Sequence, residues 1–323
     1  MVPDPGINLA FAALLLSRGC NVVLADLALC PKAHELVDLF SDPDSVSWEP
    51  PARAVYVETD VQSWPALDRM FDVAEKEFGG FDIVCPGAGV YEPLWSNFWH
   101  PPESSARSRD RADGGGYGVL DTNLLHPIRT TQVALGRWLD SGSGSDAHAS
   151  SGTGSGGGGG GGVGGETQEK KEKKRVATPK RVVHISSIAA QISLLSTPLY
   201  AASKAGLSAF VRSLGPLEDE VGVRVNAAAP GIVRTPLWLE NPEKLQFVDE
   251  SKGDVWVTAE EVADAMLSLV EDGDMVGGTV LEVGRAHRRV VQVYGDPGPD
   301  TKVESGKGLG ASGAGRGNED ALG

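Results

Sequence analysis

The feature that most constrains this chain is a regular alternation of short β-branched runs with longer segments of helical periodicity. Buried parallel strands are predicted at Asn21–Asp26, Ala54–Glu58, Phe81–Cys85, Arg181–Ile185, Arg224–Ala228 and Thr279–Val283. Helices are predicted over 7–18, 32–40, 64–78, 121–139, 198–220 and 259–271. Such alternation predicts an α/β fold, a doubly wound, Rossmann-like parallel sheet in a single domain.

Two segments do not share this pattern. Residues from about 141 to 180 begin with a Ser/Gly tract and end in the charged run EKKEKKR, and residues 297–323 are rich in Gly and charge. Neither can bury enough apolar surface to fold. We therefore predict a domain over 1–296 that carries a disordered insertion at 141–180, followed by a disordered tail. The basic run at 170–175 is a solvated loop or a contact for an acidic partner.

Charge and cysteine content exclude several classes of protein. The formal net charge of −15 argues against nucleic-acid binding, which needs clustered Lys and Arg. The three cysteines and six histidines lack the spacing of metal ligands, so no metal is expected, and scattered free thiols indicate a cytoplasmic protein. No apolar run is long enough to cross a membrane. The run Leu9–Leu16 is interpreted as a buried helix, with a signal peptide as the alternative.

The strongest chemical signal is the set Ser187, Tyr200 and Lys204, in which Tyr200 follows Ser187 by thirteen residues and Lys204 follows Tyr200 by four. On a helix, Lys204 would lie one turn beyond Tyr200 on the same face, where its ammonium group would lower the pKa of the phenol. Ser187 follows a buried strand, at the edge where parallel sheets bind ligands. Alone, a Tyr and a Lys at this spacing more often form a solvated helix pair than a catalytic site.

An acidic residue at the end of the predicted strand Asn21–Asp26 indicates which cofactor is bound. Asp26 closes a strand twenty residues after Gly6, the spacing at which a dinucleotide fold places a carboxylate on the ribose hydroxyls. This favours NAD, since a carboxylate would repel the 2′-phosphate of NADP and neither Pro5 nor Leu27 supplies a cation. The alternative is that Asp26 caps the following helix.

Taken together, Ser187, Tyr200 and Lys204 resemble the catalytic residues of the short-chain dehydrogenase/reductase family, and the resemblance extends over nearly all of residues 6–284. It implies that Asn123 holds a water of the proton relay, although a polar helix-face residue is the alternative. It also implies that Lys204 binds the cofactor ribose. Further cofactor contacts are implied for Gly6, Ile7, Asp60, Val61, Gly87, Ala88, Gly89, Pro230, Gly231, Ile232 and Thr235, besides Asp26, Tyr200 and Lys204.

The chain departs from the family pattern at two places. Family members begin with a strand and a TGxxxGIG loop, whereas this sequence opens MVPDPGIN, so only Gly6-Ile7 has a counterpart and Asn8 replaces the last glycine. The first strand of the sheet is therefore expected to be missing, which means either that the true start lies upstream or that this form is poorly active or inactive. Cys85-Pro86 stands where the family has two asparagines.

Aromatic residues suggest the kind of substrate. Trp95, Phe98 and Trp99 follow the fourth expected strand of the family, and Trp238 lies in the family's mobile lid. They predict an apolar alcohol or ketone as substrate, or else merely pack beneath a long loop. Within the family, the sequence resembles the fungal NAD-dependent hydroxyprostaglandin-dehydrogenase-like members, which often act in secondary metabolism. The resemblance implies a homodimer or homotetramer.

The predicted function is therefore NAD-dependent interconversion of a secondary alcohol and a ketone on an apolar small molecule. Two other hypotheses remain open at this stage. The same site could work chiefly as an NADH-dependent ketone reductase. Alternatively, the chain could be a non-catalytic NAD-binding or interaction protein, which would show no turnover.

Overall fold

The structure is a computed structural model that describes residues 6–41, 51–141, 175–239, 245, 248, 250–252 and 255–293. The strands are β1 (Val22–Asp26), β2 (Ala54–Glu58), β3 (Ile83–Val84), β4 (Lys180–Ile185), β5 (Val223–Pro230), β6 (Val280–Gly284) and β7 (His287–Val290). The helices are α1 (Ile7–Ser17), α2 (Pro31–Leu39), α3 (Trp64–Phe78), α4 (Gly118–Leu120), α5 (His126–Ser141), α6 (Pro198–Ser213), α7 (Leu217–Val221), α8 (Pro236–Leu239) and α9 (Ala259–Glu271). The predicted alternation, and with it the α/β fold class, is confirmed.

The strands form two hydrogen-bonded sheets. One pairs β1 with β2 in parallel, and the other has the order β3-β4-β5-β6-β7. Within the described residues, which begin at Gly6, α1 is the first element and no ladder joins β1 to β3. The strands pair in parallel except at one edge, where β7, which was not predicted, runs antiparallel to β6. All four residues of β7 are exposed, so this edge strand lacks the apolar pattern that marks buried strands.

The core lies around β5, whose eight residues VRVNAAAP are all buried. Both faces of this central strand are covered, which explains its run of small and β-branched side chains. Residues of β4, β5 and β6 pack with α1 and α9 in one cluster that includes Phe11, Val183, Ala228 and Met266. The ends of β4 and β5 are thereby held in a rigid layer.

Two long helices expected from the sequence are interrupted. The segment predicted as one helix over 121–139 consists of α4, a π-helical turn at Asp121–Leu125 and α5. The segment predicted over 198–220 ends as α6 at Ser213, and α7 follows after a short break. At that break a Cβ on Gly215 would lie 2.9 Å from the Gly277 carbonyl oxygen, so close backbone packing requires glycine there.

The chain divides into two compact units, Met1–Val290 and Val291–Gly323, and only residues 291–293 of the second are described. Most of the predicted insertion, residues 142–174, and the whole predicted tail at 297–323 lie outside the described residues. A search of the described helices for one long and apolar enough to cross a bilayer finds none.

Candidate active site

Ser187 and Tyr200 meet at the carboxyl end of β4. Ser187 lies just beyond this strand, is 8% exposed, and opens a short 3-10 helix whose Ala189 N–H it accepts at 3.1 Å. Tyr200 is the third residue of α6, and its phenol is hydrogen-bonded to the Ser187 side chain. The two hydroxyls predicted to contact a substrate oxygen therefore form one pair.

Lys204 lies one turn further along α6 and is buried. Its Nζ donates a hydrogen bond of 2.8 Å to the carbonyl oxygen of Ile185, the last residue of β4, and lies 5.7 Å from the centroid of the Tyr200 ring. Burial lowers the pKa of Lys204 to about 8 because desolvation penalises the ammonium form. The end of β4 thus fixes both Ser187 and the lysine.

The acidity expected of Tyr200 is not found. Burial raises the pKa of Tyr200 to about 12, the hydrogen bond from Ser187 opposes this rise, and the neighbouring Tyr91 adds to it. The expectation that Lys204 would lower this pKa is wrong for the protein alone, because the lysine is desolvated and its Nζ bonds to the Ile185 carbonyl. Tyr200 therefore holds its proton at neutral pH.

Asn123 occupies the π-helical turn and is fully enclosed. Its Oδ1 accepts the Val90 N–H at 2.8 Å, and its Nδ2 donates to the Val90 carbonyl at 2.8 Å and to the Ser203 hydroxyl at 3.3 Å. These bonds tie the loop after β3 to α6. The structure thus brings Asn123 beside the helix of Tyr200 and Lys204, while its part in proton relay stays a prediction.

The predicted adenosine-binding acids lie at the ends of β1 and β2. Asp26 is exposed, and its Oδ1 accepts the N–H of the adjacent Leu27 at 2.7 Å. The alternative that Asp26 caps α2 is wrong, since the cap residue of that helix is Cys30 and makes no side-chain cap bond. Asp60 is also exposed, accepts the Gln62 N–H, and is followed by the half-buried Val61. Both carboxylates are accessible to a ligand.

The loop after β3 approaches the N-terminus of α1. Gly6 is the cap residue of α1 and Ile7 its first residue. A Cβ on Gly87 would lie 2.3 Å from the Asn8 side chain, so the missing side chain at Gly87 makes room for Asn8. A Cβ on Gly89 would lie 3.3 Å from Asn123 Oδ1 and 3.7 Å from Lys204 Nζ. Ala88, between the two glycines, is exposed.

The segment after β5 is held by backbone bonds. Pro230 ends that strand, the Gly231 N–H donates to Val283, and the Ile232 carbonyl accepts the Val257 N–H at 2.8 Å. The buried Thr235 donates its hydroxyl to the Val233 carbonyl. The ends of β1 to β5 thus present two exposed acids, two glycines whose missing side chains leave room, and the residues predicted to be catalytic. This arrangement fits a dinucleotide at the strand ends.

Sequence reasoning missed Tyr91 as the aromatic residue nearest the chemistry. The Tyr91 and Tyr200 ring centroids are 4.6 Å apart in an edge-on arrangement, and the Trp238 ring packs at a tilt against Tyr91, with their centroids 5.0 Å apart. Trp95 instead packs against Gly118, while the exposed Trp99 bonds to the Leu195 carbonyl. Of the aromatic residues named from the sequence, Trp238 therefore lies near Tyr200, where it is joined by Tyr91, whereas Trp95 and Trp99 make their contacts elsewhere. Only the position of Tyr91 directly after the glycine loop could have indicated it.

Two histidines are built into the scaffold behind the site. His184, on β4, shares a 3.1 Å hydrogen bond with the Thr131 hydroxyl, and His126 bonds to the Thr122 carbonyl. Burial, as the main cause, lowers the pKa of His184 to about 3 and that of His126 to about 4. Among the described residues, no group of three or more His, Cys, Asp or Glu side chains is arranged to hold a metal ion.

Comparison with known proteins agrees with this geometry. Residues 4–163 match the family described as short chain dehydrogenase, and residues 169–284 match that described as enoyl-(acyl carrier protein) reductase. The chain is 27% identical over 288 residues to cis-4-hydroxycyclohexanecarboxylate dehydrogenase of Sinomonas cyclohexanicum, covering 88% of this chain and 93% of the relative. It is 24% identical to the rat 15-hydroxyprostaglandin dehydrogenase [NAD(+)], covering 86% of each.

The fold is shared with solved structures. A 3-oxoacyl-[acyl-carrier protein] reductase from Brucella melitensis, solved in complex with NAD, superposes with a TM-score of 0.60 at 20% identity, over 86% of this chain and 91% of that one. Sequence matches along both halves, this fold, and the meeting of Ser187, Tyr200 and Lys204 at the end of β4 lead to one conclusion. The chain belongs to the short-chain dehydrogenase/reductase family of oxidoreductases.

Proposed function

We propose that this protein interconverts a secondary alcohol and a ketone with NAD(H). The observation that carries the proposal is the hydrogen-bonded pair of Ser187 and Tyr200, with Lys204 held one helical turn away at the end of β4. Two hydroxyls that converge on one point can bind and protonate or deprotonate a single substrate oxygen. Loss of either hydroxyl is expected to remove turnover.

In the oxidative direction, Ser187 orients the alcohol oxygen, and Tyr200 accepts the proton of the alcohol after its own phenol proton has passed to solvent. NAD, when bound, accepts the hydride from the alcohol carbon. Lys204 would bind the ribose of the cofactor, and its charge would offset the negative charge left on Tyr200 when the phenol gives up its proton. Asn123 joins α6 to the loop after β3, and these bonds support the proposal that the reacting groups lie beside the cofactor.

The choice of NAD over NADP rests on Asp26. Its carboxylate is exposed at the end of β1 and accepts one hydrogen bond, from Leu27, so the second oxygen is available to ribose hydroxyls. A 2′-phosphate at this position would meet a negative charge. The rat relative, whose name specifies NAD(+), supports the same choice.

The substrate we propose is an apolar molecule that carries its hydroxyl on a ring or chain carbon. Tyr91 packs edge-on against Tyr200, and Trp238 packs against Tyr91, so that both rings add apolar surface near the reacting centre. The Sinomonas relative is named for a hydroxycyclohexane carboxylic acid, so cis-4-hydroxycyclohexanecarboxylate and cyclohexanol are suitable probes. A homodimer or homotetramer remains part of the proposal.

Ketone reduction is a second candidate direction, favoured by one observation. Because burial raises the pKa of Tyr200 to about 12, the phenol is protonated at neutral pH and is ready to donate to a ketone oxygen. The initial rates with NAD and alcohol and with NADH and the matching ketone distinguish the two directions. A higher reductive rate at pH 7 would assign the protein as a reductase.

The test is nucleotide turnover by the wild type, Tyr200→Phe and Tyr117→Phe. Tyr117 precedes α4 and serves as a matched control for loss of a phenol hydroxyl. Tyr200→Phe is expected to lower kcat by about 10²-fold or more, because the group that transfers the proton is removed, whereas Tyr117→Phe keeps kcat. Full turnover by Tyr200→Phe would exclude the mechanism, and nucleotide binding without any turnover would favour the non-catalytic alternative.

A further inference from the structure

An enclosed carboxylate lies in the loop that follows β3. Glu92 is 4% exposed and has a backbone φ of 28°, in the left-handed region that side chains other than glycine rarely adopt. Burial of a charge and a strained backbone each cost free energy, and such strain clusters at functional sites. The surroundings of Glu92 therefore require an explanation.

The carboxylate caps the helix that carries Tyr200. Its Oε2 accepts the backbone N–H of Tyr200 at 2.9 Å, and Leu199 also donates its N–H to this carboxylate. The helix does not cap itself, since its own cap residue, Thr197, makes no side-chain cap bond. Glu92 thus supplies, from a distant part of the chain, the acceptor that the first turn of a helix needs.

The same carboxylate also holds its own loop. Its Oε1 accepts the Phe98 N–H at 3.1 Å, and the Glu92 carbonyl accepts the Asn97 side-chain amide at 3.2 Å. Tyr91, the adjacent residue, packs on the Tyr200 ring. One side chain therefore joins the loop that bears Tyr91 to the first turn of α6.

Backbone N–H groups compensate the charge of Glu92. Burial raises the pKa of Glu92, and the N–H groups of Tyr200, Phe98 and Leu199 oppose that rise. No Lys, Arg or His forms an ion pair with it in the part of the chain that the structure describes. The positive end of α6 is thus its main electrostatic partner, and the attraction acts along the axis of the catalytic helix.

We propose that Glu92 is a positioning residue for the reaction. By fixing the backbone of Tyr200, it keeps the phenol in hydrogen-bond reach of Ser187, and by fixing its loop it keeps Tyr91 against the Tyr200 ring. The inference rests on the proposed dehydrogenase function. A shift of the reacting hydroxyl by about 1 Å can cost about 10²-fold in rate, so the effect reaches catalysis although Glu92 touches no reacting atom.

The experiment compares Glu92→Ala and Glu92→Gln with Glu261→Ala. Glu261 is the matched control because its carboxylate also accepts a backbone N–H at the start of a helix, from Thr258 at 2.9 Å, but on α9. Glu92→Ala is expected to lower kcat by about 10- to 100-fold while the Kd for NAD changes by less than about threefold, as expected if the cofactor contacts of Asp26 persist. Glu92→Gln keeps one oxygen acceptor and recovers part of the loss, and Glu261→Ala keeps wild-type kcat.

Amide hydrogen exchange gives a second readout that needs no substrate. Glu92→Ala is expected to speed exchange at Leu199 and Tyr200 by about tenfold or more, as expected when a local structure opens, and Glu261→Ala is not. If wild-type protein shows no turnover, the proposed function fails while exchange still tests the positioning role. Wild-type exchange at Tyr200 in Glu92→Ala, or a wild-type kcat in that variant, overturns the inference. If Glu92→Ala does not fold, kcat and amide exchange at Tyr200 are measured on Glu92→Gln instead, and wild-type values of either overturn the inference.

Discussion

Loss of stability in mild acid should come from the two enclosed histidines of the scaffold. Burial lowers the pKa of His184 to about 3 and that of His126 to about 4, whereas an unfolded chain has histidines near 6.5. Between pH 6.5 and 5, His184 and His126 are therefore protonated in the unfolded chain but remain neutral in the folded protein. Folding stability must fall as the pH falls through this window, and it is fully present above about pH 7.

The magnitude follows from the unfolded pKa alone, because both folded values lie below 5. From pH 6.5 to 5 is about 1.5 pH units, and each unit corresponds to about 1.4 kcal/mol per histidine. Each ring should thus contribute a loss of about 2 kcal/mol, and the two together about 4 kcal/mol. That is a large part of the roughly 5–15 kcal/mol by which a domain is stable.

Urea unfolding followed by tryptophan fluorescence at pH 7 and pH 5 measures this loss. His184→Gln should reduce the difference between the two pH values by about 2 kcal/mol, whatever it does to the stability at pH 7. His34→Gln, which changes an exposed histidine, is the matched control and should keep the full difference. An unchanged pH difference in His184→Gln would refute the reasoning, and it would mean that His184 is protonated inside the folded protein.

Three further predictions concern the site and its scaffold. Asp26→Ala should weaken NAD binding in calorimetry by about 10- to 100-fold, because hydrogen bonds to a charged group are worth about 1.5–3 kcal/mol; an unchanged Kd would place the ribose elsewhere. Gly89→Ala should lower kcat by about tenfold, since its methyl group would meet Asn123 at 3.3 Å and force a shift of the site; normal kinetics would contradict that crowding. Arg224→Ala should cost about 3–5 kcal/mol in urea unfolding, because it leaves the Glu218 carboxylate without its 2.6 Å partner; a loss below about 1 kcal/mol would show that the carboxylate is well solvated.

Much of the fold could be read from periodicity because buried strands and amphipathic helices have distinct repeats. The bounds of α3 and α9 agree with the prediction to the residue. The edge strand β7 could not be found, since all four of its residues are exposed and two of them are arginines. β7 forms because its backbone pairs with β6, and backbone pairing does not require a particular side-chain pattern in β7.

Some features of the site could likewise be predicted from the sequence and others could not. The spacing of Tyr200 and Lys204 follows from one helical turn, so their proximity was predictable. The pKa of Tyr200 was not, because it depends on desolvation by surrounding elements rather than on the distance to one cation. Tyr91 and Glu92 reach the site through the path of an irregular loop, and that path has no periodic signature in the sequence.

The π-helical turn at Asp121–Leu125 shows that the number of residues in this turn, as well as their type, determines the geometry of the site. An added residue in an α-helix either rotates everything beyond it by about 100° or is absorbed in one wider turn. Here the wide turn contains Asn123, so α5 continues to pack beside α3 and α6 while the amide reaches Val90. Deletion of one residue from this turn other than Asn123 would leave Ser187, Tyr200, Lys204 and Asn123 in the sequence, yet Asn123 would point in a different direction. A sequence alignment that places a gap here would match this chain with one that is a residue shorter. The two asparagines would then be aligned although their side chains lie in different positions.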